Sequence, residues 1–282
     1  MNKIEYKIVD GKKSGFNYLK EIVDTRYVLY EFFKRDIKVV YAQSIFGPLF
    51  YILLPIFQTG VFNFFINKIS SNTVDFTTSF LIIFINMVFW NLFSGNVVKG
   101  CSVLMSQKKL IDKVYIPRLI FFISPYLVSL LHFLIQFVFF IILLFFFKVN
   151  SDQIFFNFTY IAKWIVVIPL LLYCFILYSS LAIIISMLSL RYRDIVHLVS
   201  YIIQLGLFVS PVLYSLNDLS GVSLILVGIN PYSLIPEITR WIFFENILNY
   251  NFILVNLMTA LSLFLIAIYL FLKKEKDIAD LV

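Results

Sequence analysis

Six stretches of this 282-residue chain, at 44–65, 80–98, 119–147, 161–190, 195–214 and 252–272, are each long and apolar enough to cross a bilayer. A crossing helix needs about 20 mostly apolar residues. Within hydrocarbon every backbone N–H and C=O must be paired inside the protein, and the stretches are too long for membrane strands. The predicted fold is therefore an all-α polytopic membrane protein with six transmembrane helices. Hydrophobic residues make up 61% of the chain and charged residues 14%, against about 25% charged in a soluble domain. Lipid must solvate the apolar surplus. The third and fourth stretches exceed a straight crossing, and tilt or kinks at Pro125 and Pro169 account for the excess.

An even number of spans places both termini on one side. If that side is cytoplasmic, nineteen Lys and Arg lie inside and four lie outside, the latter being Lys68, Lys148, Lys163 and Arg240. Inner loops carry such an excess, so both termini are expected in the cytoplasm. The net charge of +7 then reflects topology, and no nucleic-acid partner is expected. The first 43 residues are polar and mixed in charge, without the apolar core of a cleavable signal. Cys101 and Cys174 are too few and too distant to suggest a disulfide scaffold or a metal site.

Between the spans the chain reads as one domain. Residues 1–15 are polar and expected to be loose. Residues 16–38 carry Phe16, Leu19, Val23, Tyr27, Tyr30, Phe33 and Ile37 at three- and four-residue steps, with basic and acidic side chains on the other side. They form an amphipathic helix, lying in the headgroup layer or packed on the bundle. Residues 99–118 are the one sizeable inner loop between spans, closed by Pro117. They read either as a short helix lying across the span ends or as a solvated loop that supplies positive charge. Residues 215–251 are apolar in runs too short to span. They are expected to dip back into the membrane as two short re-entrant helices hinged at Asn230-Pro231, with Tyr232, Trp241, Phe243 and Phe244 at the rim. Residues 273–282 form a tail.

Several chemistries lack their residues. Gly95 and Gly100 have the glycine spacing of a phosphate-binding loop, but Cys101 and Ser102 follow where Lys and Ser or Thr are required. His132 lies within the third span and reads as an interhelical hydrogen-bond partner. Asp, Glu, Lys and Arg are almost absent at mid-depth, where ion-coupled carriers place them. Transport by this chain would need energy from elsewhere. No carboxylates pair tightly on the outer side, so no catalytic residue is assigned. The 33 Phe, 17 Tyr and 3 Trp suit lipid contact and packing. A few of them, with Phe57, Phe84, Phe89 and Trp90 as candidates, would line a channel, since aromatic faces suit the apolar faces of sugar rings.

Five short segments stand in one order: YAQSIFGPLFYILLP at 41–55, KKLIDKVYIPR at 108–118, LRYRDIVH at 190–197, SPVLYS at 210–215 and NPYSLIPEITR at 230–240. In the first, Lys38, Tyr41, Ser44, Phe46, Gly47, Pro48 and Pro55 fit a shared pattern, and Phe50 stands where many members carry tryptophan. So arranged, the chain resembles the type-two ABC exporter permeases for bacterial cell-surface polysaccharides (O-antigen, capsule and teichoic acid). The resemblance implies a homodimer in the bacterial cytoplasmic membrane, with two copies of a separate ATPase subunit that holds ATP and Mg. No cofactor is expected in this chain. It makes Gln107, Lys108, Lys109, Leu110, Ile111, Asp112, Lys113 and Tyr115 a coupling helix docked on the ATPase. The implied cargo is a glycan on a polyprenyl pyrophosphate, whose headgroup Arg35 and Lys38 would attract. Tyr214, Asn230, Pro231 and Tyr232 would form a gate. A drug or lipid exporter of the same architecture is the rival within transport, and a membrane glycan-lipid transferase the rival outside it.

Overall fold

The structure, a computed structural model, describes residues 15–42, 47, 49–69, 75–111, 113–114, 116–149, 162–244 and 248–274, and all regular structure among them is helical. The expected loose N-terminus up to residue 14, Ser44, Phe46, Pro48, Asp112, Tyr115 and the tail beyond residue 274 lie outside the described residues.

The N-terminal amphipathic segment forms two helices, α1 (Gly15–Asp24) and α2 (Arg26–Tyr41), where one was expected. They part at Thr25, whose hydroxyl donates to the Glu21 carbonyl at 2.7 Å. Such back-bonding competes with the regular ladder and bends helices. One side of α2 exposes Tyr27 and Tyr30. Its other side packs on the third span, where Phe32 stacks on Phe121 with centroids 5.7 Å apart. Gly47 takes φ +52 between α2 and the first span, a left-handed conformation that a residue without Cβ adopts freely.

Five helices are long and apolar enough to cross a membrane: Leu49–Lys68, Phe76–Ser106, Ile120–Phe147, Ala162–Arg191 and Tyr250–Lys273. They correspond to α3 (Leu49–Ile69), α4 (Phe76–Ser106), α6 (Ile120–Val149), α7 (Val167–Arg191) and α11 (Tyr250–Lys274). Between α4 and α6 lies the four-residue α5 (Lys108–Ile111). The expected inner loop 99–118 is therefore helical as far as Ser106. Nothing between Lys99 and Ser106 breaks a helix, and Gly100 is used for packing.

The expected fifth span, 195–214, is shorter than its hydropathy suggested. It forms α8 (Asp194–Val209), of 16 residues. At 1.5 Å per residue that is about 24 Å, short of a hydrocarbon core of about 30 Å. Pro211 stops it: the residue before a proline is pushed out of the helical region, and Ser210 has φ −90 and ψ 145. Beyond it lie α9 (Gly221–Ile229) and α10 (Leu234–Phe244), joined by a 3-10 turn at Pro231–Ser233. The halves Gly221–Ile229 and Pro231–Phe244 meet at 87°. Asn230 makes this corner: its side chain accepts the Tyr232 N–H at 3.1 Å, and Pro231 fits the first position of the following turn.

Helix α4 occupies the middle. Its most apolar stretch is 72% buried inside the protein, against 17% for those of α3 and α11. It packs on α3, α6, α7, α8 and α10. Small residues let helices approach closely in lipid, and Gly100 of α4 meets Ala182 of α7 in this way. The crossing is pinned by Ser189, whose hydroxyl donates to the Cys101 carbonyl at 2.7 Å, and by Tyr178, whose hydroxyl donates to the Phe122 carbonyl at 2.8 Å.

Candidate functional site

Polar residues gather at both ends of α4. At the end rich in Lys and Arg, an open cavity of about 230 Å³ lies between α2, α4 and α6. Each helix gives it one face at helical spacing. Phe32, Arg35 and Asp36 come from α2; Lys99, Ser102, Val103 and Ser106 from α4, with Gln107 just after it; Phe121, Ser124 and Pro125 from α6. Arg35 donates to Asp36 Oδ1 through Nε at 2.9 Å and through Nη2 at 2.8 Å. Its guanidinium also lies 4.9 Å from the centre of the Phe32 ring. Ser124 donates to Asp36 Oδ2 at 3.0 Å, which ties α2 to α6.

Of the two cations expected to act together, Arg35 reaches this cavity and Lys38 does not; Lys38 projects outward from α2. The second cation of the cavity is Lys99, which comes from a different helix. Sequence reasoning counted Lys99 only as loop charge. The usable signal was the i, i+3, i+7 spacing of Lys99, Ser102 and Ser106, visible once the helix is extended past residue 98.

The short α5 is adjacent. Gln107 closes α4 and starts α5, its carbonyl accepting the N–H groups of Leu110 and Ile111 at 2.9 and 3.0 Å. Lys108, Lys109 and Lys113 are exposed, while Leu110 and Ile111 turn back onto the core. This end therefore presents a basic, apolar-backed knob beside the cavity.

At the other end Asn86, fully buried on α4, donates to the Val212 carbonyl at 3.2 Å and accepts from the Thr239 hydroxyl at 2.6 Å. Arg240, next to Thr239 on α10, is only 3% exposed. Its Nη2 donates to the carbonyls of Pro211 and Tyr214 at 2.6 Å each, and its Nη1 to Glu237 at 3.1 Å. These two carbonyls are the ones freed where α8 stops. Asn230 donates to Ser210 Oγ at 3.0 Å, and Tyr173 of α7 donates to the Pro231 carbonyl at 2.6 Å. The structure thus brings Tyr214, Asn230, Pro231 and Tyr232 together. Sequence reasoning missed their organiser, Arg240, which it read as an ordinary outer cation.

Tyr232 is 2% exposed. It packs between Trp90 and Phe93, with centroids 4.9 and 4.8 Å away. Its buried hydroxyl has no hydrogen-bond partner. Removing a buried polar atom without a partner costs nothing in hydrogen bonding. Tyr232→Phe is therefore expected to keep or slightly raise the melting temperature of the purified protein. A drop would reveal a partner for the hydroxyl.

Two of the four candidate channel aromatics need correction. Phe84 and Phe89 have no exposed surface, because the central helix turns them into the bundle against Phe140 and Phe133. They pack the protomer and line no channel in this conformation. Trp90 is nearly buried against Tyr232, and Phe57 is well exposed on α3. His132 also departs from expectation. It stacks on Tyr51 of α3, with centroids 3.5 Å apart, and its Nε2 has no hydrogen-bond partner. Among the described residues no cluster of three or more His, Cys, Asp or Glu is placed to hold a metal.

The family described as ABC-2 type transporter matches residues 27–244, most of the chain and both polar clusters. A protein named O-antigen export system permease protein RfbA, from Klebsiella pneumoniae, is 24% identical over 248 residues, covering 88% of this chain and 92% of that protein. A protein of the same name from Myxococcus xanthus is 22% identical over 235 residues, covering 81% of this chain and 84% of its own.

Proposed function

This chain belongs to the ABC-2 type transporter family, and from that premise we propose that it is the membrane subunit of an ATP-driven exporter of a polyprenyl-pyrophosphate-linked polysaccharide, O-antigen or capsule. It works as a homodimer in the bacterial cytoplasmic membrane, with its basic end in the cytoplasm. A separate ATPase subunit, present in two copies, binds ATP and Mg. The observation that carries the reading is similarity over nearly the full length to proteins named as O-antigen export permeases.

The placement of the two clusters supports a mechanism. The exposed lysines of α5 dock in the ATPase, and Leu110 and Ile111 pass its movement to the bundle. Helix α4 carries that movement to the α9–α10 corner through Asn86, where Tyr214, Asn230, Pro231 and Tyr232 close the pathway between cycles. The glycan moves between two copies of the chain, and the phosphate end of its lipid is captured at the basic end, where Arg35 lies.

The test is genetic. Deleting the gene is expected to remove the surface polysaccharide, with drug susceptibility unchanged. The wild-type gene should restore it. A Lys108→Glu/Lys109→Glu/Lys113→Glu variant, present in the membrane at the normal level, should restore less than about a tenth. Three reversed charges against a fixed partner surface exceed the 1.4 kcal/mol that a tenfold change requires. Intact surface glycan in the deletion strain would end the reading. Full restoration by the variant would remove α5 from ATPase docking.

A further inference from the structure

The cavity beside α5 holds more donors than its one acid can use. A guanidinium has five N–H donors and an ammonium three. Asp36 takes two from Arg35. Lys99, which lines the same space, makes no hydrogen bond or ion pair to any described residue, and no partner is shown for the Gln107 amide. The cavity is open, and its volume of about 230 Å³ compares with about 30 Å³ for one liquid water. Phe32 and Phe121 form an apolar wall on one side. A small anion with an apolar attachment would fill it: its oxygens take the spare donors and its tail follows the aromatic wall toward lipid.

We propose that this cavity binds the phosphate of a lipid headgroup, held by Arg35 of α2 together with Lys99 and Gln107 at the end of α4. The inference rests on the reading that phosphate-bearing lipid is captured at this end of the chain. It moves the second cation from Lys38 to Lys99, and it makes the site a bridge between two helices. Gln107 belongs to the site and also starts α5. An occupied cavity therefore braces the segment that meets the ATPase, so headgroup binding and docking share one residue.

Arginine is suited to the bidentate contact with phosphate and lysine to the point contact. Nothing in the cavity discriminates a pyrophosphate from the single phosphate of an anionic phospholipid, so the probes must. The purified full-length chain in mild detergent is examined by native mass spectrometry with farnesyl pyrophosphate, with phosphatidylglycerol, and with diacylglycerol as the phosphate-free control. The two phosphate lipids should bind and diacylglycerol should not. Preference for the pyrophosphate makes the cavity a cargo site; equal binding makes it a site for membrane phospholipid; either supports phosphate recognition.

Lys99→Gln and Arg35→Gln should each weaken binding at least about tenfold, the scale of one charge-assisted hydrogen bond. Lys99→Arg should retain it, and Lys38→Gln should change it less than about twofold, since Lys38 lies outside the cavity. Lys99 and Arg35 are solvent-accessible, so melting temperatures of all four variants should match the wild type and exclude misfolding. Loss in Lys38→Gln with none in Lys99→Gln overturns the cavity site but leaves capture at this end intact. No change in any variant overturns both.

Discussion

Replacing Arg240 with leucine is expected to lower the melting temperature of the purified protein by roughly 10 °C. Arg240 is 3% exposed and Glu237 has 12% of its side chain exposed, so the pair lies in a nearly dry site. Removing one partner of a buried pair typically costs about 3–5 kcal/mol, mostly because the other is left without compensation. Here the loss reaches further. The carbonyls of Pro211 and Tyr214 receive Arg240 Nη2 at 2.6 Å, and a buried acceptor left open costs roughly another 1–3 kcal/mol. In a protein of this size 1 kcal/mol corresponds to about 2–4 °C.

Arg240→Lys should fall between wild type and leucine, because an ammonium keeps the charge but cannot reproduce the fork. Glu237→Gln should lose less than Arg240→Leu, since a carbonyl oxygen still accepts from Nη1 and both backbone contacts survive. Thermal unfolding followed by retention of the monodisperse peak in size-exclusion chromatography measures all three. If Arg240→Leu melts within about 2 °C of wild type, the guanidinium does not hold the end of α8 to α10.

The second large effect is expected at Gly100. A Cβ built there would lie 2.5 Å from the Ala182 Cβ and 3.1 Å from Cε2 of Tyr178. Neither neighbour can yield cheaply. Ala182 has no flexible side chain, and the Tyr178 ring is fixed by its hydroxyl bond to Phe122 at 2.8 Å. Gly100→Leu must therefore separate α4 from α7, and overpacking of this kind costs about 3 kcal/mol or more. It should give little folded protein. Gly100→Ala gains about 1 kcal/mol of helix propensity against an overpacking cost of about 1–3 kcal/mol, and should be mildly destabilised. Gly100→Ala/Ala182→Gly should recover most of that loss, because the second change removes the atom in the way. A double variant no more stable than Gly100→Ala would show that the crossing is not set by this contact.

How much of this was legible in the residues depends on what kind of signal carried each part. The long spans follow from hydropathy alone, and five of the expected six appear as long apolar helices. The α9–α10 corner was readable in Asn230-Pro231, since asparagine caps and proline starts a turn. Pro211 would have shortened the fifth span had its effect on Ser210 been weighed above hydropathy. Depth was harder to read. Phe84 and Phe57 are the same residue type in equally apolar helices, yet one is buried at the centre of the bundle and the other exposed. Nothing local separates them, because in lipid both environments are greasy; only the tertiary arrangement that makes α4 central decides. Arg240 and Lys99 were misread for a related reason. A charge is assigned to a loop by default, and its burial or pairing depends on carbonyls and side chains 26 to 63 residues away, such as Tyr214 for Arg240 and Asp36 for Lys99.

Helix α4 contains no proline and runs for 31 residues, a length of about 46 Å at 1.5 Å per residue. Asn86 and the Gln107 that closes it therefore sit on one strut roughly 32 Å apart. A strut of this kind has no slack. A shift imposed at Gln107 arrives at Asn86 as displacement of the same body, without a chain of rearranging side chains between them. The kinetic consequence is simultaneity: fluorescent reporters placed at the two ends should relax with a single shared time constant when nucleotide is added, with no lag from one to the other.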